Sequence, residues 1–327
     1  MRNWECGTRN AKDRIFHDRK QRSSNRPILL HLKKKLKYLL LKPLLKSSAL
    51  VECLHLSPVG RERNDSDTAF PIPHLKEGLL KEDLIDKTAR AISRSKKVVA
   101  FTGAGISVES GIPDFRGAGG LWEKFDPAEY ATIDAFHANP KKVWGMLKEM
   151  GDLLESSRPN AAHRALARLE EVGHLRSVIT QNIDHLHQDA GNRRVIEYHG
   201  SHKNLVCMSC GRFYRKEEVK LESLPPFCGC SGVLKPTVVF FGEPIPWGAH
   251  LQAVEEARDC EVMLVIGTSA VVSPACDIPV LAKKGGATLV EVNLEETQLT
   301  QDVSDWILKG SAGRILQSVM DSLAGVR

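Results

Sequence analysis

The stretch Gly103-Ala-Gly-Ile-Ser-Val-Glu-Ser-Gly-Ile-Pro-Asp-Phe-Arg-Gly117 decides the reading of this chain. It follows Val98-Val99-Ala100-Phe101, an apolar run that reads as a buried parallel strand. Gly103 and Gly105, with only Ala104 between them, let the backbone turn sharply and approach a ligand closely. Helix-compatible residues begin at Ile106, so free N–H groups at a helix start would point at the turn. Strand, glycine turn and helix start together make a pyrophosphate site. The pattern departs from the dinucleotide fingerprint, since no glycine stands three residues after Gly105. The continuation Pro113-Asp114-Phe115-Arg116 supplies the specificity that a bare Gly-x-Gly lacks.

Outward from this turn the texture repeats. Leu84, Ile85, Ala89 and Ile92 recur at helical spacing before the strand. Asn160 to Val172 reads as an amphipathic helix, with Ala162, Leu166 and Leu169 on one stripe. Strands are predicted at Ser177–Thr180, Val195–Tyr198, Val262–Ile266, Thr288–Val292 and Trp306–Leu308, and helices at Cys276–Lys284 and Ala312–Leu323. Strands alternating with helices predict an α/β fold, a doubly wound parallel sheet covered on both faces. Polar motifs stand at the strand C-terminal ends: Gln181-Asn-Ile-Asp184, His199-Gly200, Gly267-Thr-Ser269 and Asn293. Open α/β sheets place their ligands there.

Four of the eight cysteines cluster as Cys207-x-x-Cys210 and Cys228-x-Cys230, separated by 17 residues. Two cysteine pairs at this separation read as a tetrahedral structural zinc site, closed by four thiolates. The remaining cysteines are scattered, which suits a reducing cytoplasm better than a disulfide framework. No apolar run reaches the roughly 18 residues needed to span a bilayer, and no secretory signal is evident near Met1.

The net charge of +6 is unevenly held. Residues 1–80 carry 17 of the 46 Lys/Arg and 8 of the 40 Asp/Glu, leaving 29 basic and 32 acidic residues beyond. The slightly acidic remainder gives no reason to expect nucleic-acid binding by the body of the chain. Residues 1–80 read as a basic arm too polar to fold by itself. Its block His31–Lys42 also fits a basic amphipathic helix at a membrane surface, or an organellar targeting segment. Glu5, Asp13 and Asp18 speak against the targeting version, and Pro43 ends any helix.

From about Lys81 to Val326 the chain resembles the sirtuin family of NAD-dependent protein deacylases, with a bacterial and archaeal flavour. The matching pieces stand in the family's order: Gly103-Ala-Gly-Ile-Ser, Gly111-Ile-Pro-Asp-Phe-Arg-Gly117, Gln181-Asn-Ile-Asp184, Tyr198-His-Gly200, the four cysteines, Lys235-Pro-Thr-Val-Val-Phe-Phe-Gly-Glu243, Gly267-Thr-Ser269 and Val292-Asn-Leu-Glu295. The resemblance implies a Rossmann-like catalytic domain over 81–327. A small zinc-ribbon module (about 200–236) and a helical insertion (about 118–160) complete it, with NAD and substrate meeting in the cleft between.

It also implies roles. Gly103, Ala104, Gly105, Ser107 and Val108 would line the phosphate turn. Asp114, Phe115 and Arg116 would lie on a segment closing over NAD. Gln181, Asn182, Ile183 and Asp184 would form the pocket for nicotinamide and its ribose, with Asn182 and Asp184 catalytic. Gly267, Thr268 and Ser269 would meet phosphate or ribose. Asn293 and Glu295 would take the adenosine ribose hydroxyls, and Leu294 and Ala312 the adenine. His199 would be the general base that deprotonates ribose hydroxyls once nicotinamide has left; a core histidine bonded to backbone is the plainer alternative. His185 and His187 read as solvated helix residues, and His163, His137 and His174 as structural or exposed.

An acyl-lysine peptide would be clamped between Phe241-Gly242-Glu243 and Val271-Val272 by strand addition. Family members that prefer succinyl or malonyl lysine carry a Tyr and an Arg three apart; Leu147 and Met150 stand at the matching register. The expected acyl group is therefore acetyl, or a longer apolar chain. An ADP-ribosyltransferase or NAD hydrolase on the same scaffold is the competing reading. The sequence fixes neither the oligomeric state nor the substrate proteins.

Overall fold

A computed structural model describes residues 75–115 and 120–325, with side chains from residue 81 onward. Arg116 and residues 1–74 of the expected basic arm lie outside the described residues, whereas residues 75–80, also expected in that arm, open the helix Leu75–Arg94, which starts before the expected boundary at 81.

Six parallel strands form the main sheet in the order β3-β2-β1-β7-β8-β9. They are β1 (Val98–Thr102), β2 (Leu175–Thr180), β3 (Val195–Glu197), β7 (Val262–Ile266), β8 (Thr288–Asn293) and β9 (Trp306–Lys309). Strand side chains alternate between two apolar layers. Val98 and Ala100 of β1, with Val262, Leu264 and Ile266 of β7, pack on the side covered by helices Leu75–Arg94, Ala161–Glu171 and Ala312–Gly325. Val99, Phe101, Met263 and Val265 face helices Trp247–Asp259 and Asp277–Lys284. A sheet buried on both faces explains why its strands are continuous apolar runs. The doubly wound expectation is met.

The strand order reverses between β1 and β7. From β1 the chain winds outward through β2 and β3, and from β7 it winds the other way through β8 and β9. The loops leaving β1 and β7 therefore diverge, and a crevice opens at their carboxyl ends. Register fixes the crevice, because Thr102 pairs with Ile266 and so sets Gly103 beside Gly267.

A smaller unit completes the fold. Strands β4 (Asn204–Cys207), β5 (Phe213–Arg215) and β6 (Leu234–Pro236) form an antiparallel sheet in the order β5-β4-β6. Before it in sequence come helices Leu121–Lys124, Pro127–Tyr130, Ile133–Ala138 and Pro140–Ser156. Three of these are entered through side-chain caps: Asp126 accepts from Ala128 N at 2.8 Å, Thr132 from Ala135 N at 3.1 Å and Asn139 from Lys142 N at 3.0 Å. Phe136, Val143, Trp144, Leu205, Leu234 and Phe240 form the apolar layer joining helices to ribbon. The Trp144 indole N–H donates to Leu234 O at 2.8 Å, which satisfies the one polar group this side chain buries.

Candidate active site

The crevice is built on close backbone contact. Gly103 N donates to Ile266 O at 3.0 Å and Gly105 N to Gly267 O at 2.8 Å. Gly267 sits at φ +59, and a Cβ there would lie 2.3 Å from Ile106 N. No other residue fits, so the β1 and β7 turns touch only because both are glycine. The helix after the turn is a single 3-10 segment, Ala104–Ser110, whose N-cap Gly103 offers no side chain.

The segment after β2 lies against this turn. Asn182 Nδ2 donates to Gly103 O at 3.1 Å and to Ser107 Oγ at 3.2 Å. Ser107 Oγ donates to Asp184 Oδ2 at 2.6 Å, while Leu186 N donates to Asp184 Oδ1 at 2.9 Å. Burial pushes the Asp184 carboxyl up, against the pull of the Ser107 and Leu186 bonds. Gln181 Nε2 reaches Thr268 Oγ1 at 3.0 Å, and Asn293 Nδ2 donates to Thr268 O at 3.0 Å. The loops after β1, β2, β7 and β8 are thereby tied into one wall.

His199 stands at the turn after β3. Its Nδ1 lies 3.0 Å from Gln181 O, and a carbonyl only accepts, so Nδ1 carries the proton. Nε2 remains as the basic nitrogen. Burial lowers the imidazole pKa, partly offset by the Gln181 bond, so the ring is neutral at pH 7. The next residue, Gly200, has φ +74, and a Cβ there would meet Thr237 O at 2.0 Å. That glycine lets the chain pass under residues 237–239, where Val239 N donates to His199 O at 2.9 Å.

These elements surround a cavity of about 800 Å³. One part is lined by Gly103, Ala104, Gly105, Val108, Gly267, Thr268, Ser269, Asn293, Leu294, Glu295 and Ala312, and another by Asp114, Phe115, Gln181, Asn182, Ile183 and His199. A third part is apolar, with Trp122, Met146, Leu147, Met150, Val238 and Phe240. Phe115 stacks on Trp122 at 5.2 Å between ring centroids. Ser107 and Asp184 do not line the cavity; Asp184 bonds Ser107, and Ser107 bonds Asn182, which does line it.

The four cysteine sulfurs lie within 4.8 Å of one another. Cys207 Sγ is 3.5 Å from Cys230 Sγ, and Cys210 Sγ is 3.6 Å from Cys228 Sγ. Four thiolates about 2.3 Å from a tetrahedral zinc would stand about 3.8 Å apart. Ser209 N and Cys210 N both point at Cys207 Sγ at 3.4 Å, the polarity a thiolate requires. The donor set fits structural zinc.

Residues 103–274 match the Sir2 family. The chain belongs to the Sir2 family. It is 45% identical over 251 residues to NAD-dependent protein deacylase 2 of Archaeoglobus fulgidus, covering 75% of this chain and 98% of that relative. It is 46% identical over 236 residues to NAD-dependent protein deacylase 2 of Pyrobaculum aerophilum, covering 72% and 94%. Among solved structures, a Sir2 homolog–NAD complex superposes with a TM-score of 0.69 at 41% identity, covering 74% of this chain and 95% of that one.

One histidine expectation is corrected in this Sir2 protein. His187 is not solvated but buried, with Nε2 3.0 Å from Thr102 Oγ1. Its short helix, Leu186–Asp189, is folded against the sheet by the turn at His185, so the position that sequence alone left facing water faces the core. Of the two readings open for His163, structural or exposed, the structural one holds: it is fully buried, and its ring lies 4.9 Å from that of His187.

Sequence reasoning also missed a staple. Lys235, almost fully buried, donates to Pro236 O at 3.0 Å, Val238 O at 2.7 Å and Glu243 Oε2 at 2.9 Å. Glu243 Oε2 also accepts from Phe240 N at 2.8 Å. The pair closes the loop that carries Phe241 at the cavity rim. Only the buried setting distinguishes this lysine from a solvated one, and no local pattern announces it. Glu109 was missed for the same reason: it accepts from Gly313 N at 2.7 Å and ties the glycine turn to the last helix.

Proposed function

We propose that this Sir2 protein is an NAD-dependent protein-lysine deacylase that moves the acyl group of an acyl-lysine onto ADP-ribose and releases nicotinamide. One observation carries the reading: a neutral imidazole, with Nδ1 committed to Gln181 O, lines the same cavity as the glycine turn at a topological switch point. NAD, when bound, supplies the ribose that accepts the acyl group. With the Gly103 and Gly105 N–H groups spent on Ile266 O and Gly267 O, the turn would bring bare glycine backbone and the Ala104 N–H close to its phosphates. Asn182, fixed by Gly103 O and Ser107, would orient the nicotinamide ribose, and Asp184 would hold Ser107 and the turn in place. His199 Nε2 would take the proton from a ribose hydroxyl and later return it. Phe115, poised on Trp122, would cover the reacting carbon from water. The four cysteines would hold zinc for folding alone, since every ligand position is filled by protein.

The second substrate would be an extended acylated peptide. Phe241 lines the cavity, Val271 stands next to Val272, which also lines it, and both Phe241 and Val271 are about half exposed, as strand addition between two loops requires. The relative solved with a p53 peptide and NAD supports this partner class. A cytoplasmic setting suits the free thiols. No helix among the described residues is long and apolar enough to cross a membrane. The test is incubation with an acetyl-lysine peptide, with and without NAD, followed by mass analysis. O-acetyl-ADP-ribose, nicotinamide and free lysine in equal amounts support the reading; free ADP-ribose or modified protein in their place refutes it.

A further inference from the structure

Two imidazoles, one on each side of the Gly200–Ser201 turn, grip the segment after β2. His199 Nδ1 holds Gln181 O, and His202 Nδ1 holds Ile183 O at 2.5 Å. The His202 backbone N–H reaches the same carbonyl at 3.4 Å. His202 is buried, and a carbonyl accepts only, so its Nδ1 must carry the proton. The other ring nitrogen, Nε2, is buried without a hydrogen-bond partner among the described residues. Keeping a bare lone pair buried is tolerable for a neutral ring whose single N–H is used. Burial in fact lowers this imidazole to about 4, so it stays neutral.

A trans peptide plane sets C=O and N–H on opposite sides. Holding Ile183 O toward His202 therefore turns the Asp184 N–H to the far side of that plane. Ile183 lines the cavity, and neither its N–H nor that of Asp184 has a partner among the described residues. Two unpaired amide donors on a fixed strand end suit the carbonyl oxygen of a carboxamide.

We propose that His202 is a positioning residue for the nicotinamide pocket: through the Ile183 carbonyl it sets the direction of the adjoining backbone N–H that receives the nicotinamide carboxamide. The proposal rests on the NAD-dependent reading above and deepens it. It differs from a general packing role because its effect is confined to one substrate. The expected peptide clamp lies on Phe241–Glu243 and Val271–Val272, which His202 does not bond.

The test compares His202→Leu, which keeps volume and loses the donor, with His202→Gln, which keeps an N–H. Steady-state constants for NAD and acetyl peptide are measured with the inhibition constant for nicotinamide, alongside thermal unfolding. Loss of one buried hydrogen bond is expected to raise the NAD KM and the nicotinamide inhibition constant about three- to tenfold in His202→Leu. Peptide KM should stay within about twofold, and His202→Gln should recover part of the loss. NAD and nicotinamide constants within about twofold of wild type would overturn the proposal. So would a uniform fall in every parameter that tracks the folded fraction. If His202→Leu fails to fold, nitrogen NMR of the wild-type protein decides: the His202 Nδ1–H tautomer must be present and its resonance must move on adding NAD. Wild-type turnover in the same assays separates failure of this idea from failure of the deacylase assignment.

Discussion

Acid should destabilise this protein as pH falls from 6.5 towards 4. Burial holds both His163 and His202 at about 4, against an ordinary 6.5. His187, fully buried beside His163, is also held well below its ordinary value. A group whose folded pKa is depressed contributes stability that is complete above the unfolded pKa and is lost as pH falls toward the folded one. The window is thus pH 6.5 down to about 4. Linkage gives a loss of about 2 kcal/mol at pH 5 for each of His163 and His202, or about 4 kcal/mol for the two. That is a large part of a typical 5–15 kcal/mol. The assay is urea unfolding at pH 7.5 and pH 5.0, holding zinc constant, for the wild type, His163→Gln and His202→Gln. Between the two pH values the wild type should lose about 4 kcal/mol or more, and each variant should lose about 2 kcal/mol less than the wild type. Equal stability at the two pH values, or variants that keep the full loss, would refute the argument. Zinc release also depends on acid, but it is common to all three proteins and cancels in the comparison.

Four further outcomes follow from the same geometry. The acid limb of kcat/KM should lie below pH 6.5, because burial lowers His199; a pH–rate profile with its limb above 7 would contradict the neutral imidazole. Lys235→Met should cost about 3 kcal/mol, since it strips a carboxylate of its buried partner. Glu243→Gln, which leaves two carbonyls on the ammonium, should cost about 1–2 kcal/mol, and both should raise peptide KM; unfolding midpoints in the reverse order would sink the staple. Metal analysis should find one zinc per chain, and its chelation should lower the melting temperature and activity together. Acetyl-lysine should be cleaved faster than succinyl-lysine on one peptide sequence: no Lys or Arg among the described residues lines the cavity, while Glu109, Glu243, Glu295 and Glu296 do.

What could be read in advance divides along a physical line. The strands at Val98, Val262 and Thr288 were legible because a sheet covered on both faces demands unbroken apolar runs, and those are local. The glycine turn was legible because only glycine permits two turns to touch, and that constraint is written at Gly103, Gly105 and Gly267. The cysteine cluster was legible because a tetrahedron of thiolates imposes spacing. Against these stand contacts with no local signature. Ser107 meets Asp184 across 77 positions of sequence, and Thr102 meets His187 across 85. Both depend on which strand lies beside β1, and that is a topological choice.

The histidines show where pattern fails and why. His185, His187, His199 and His202 all stand near strand ends among polar residues, so residue type does not rank them. Burial and the identity of the acceptor do. His187 is withdrawn to the core, where it bonds a threonine on β1. His199 and His202 each spend Nδ1 on a carbonyl of the same short segment, but only His199 lines the cavity. A ring whose second nitrogen meets substrate can move a proton; one whose second nitrogen is sealed can only hold backbone. The turn at Gly200 separates the two cases. Its positive φ sends the chain beneath Thr237 and carries His202 inward, away from the cavity wall that His199 lines. A side chain at residue 200 would therefore displace both rings at once, and with them the segment from Gln181 to Ile183 on which the nucleotide wall depends.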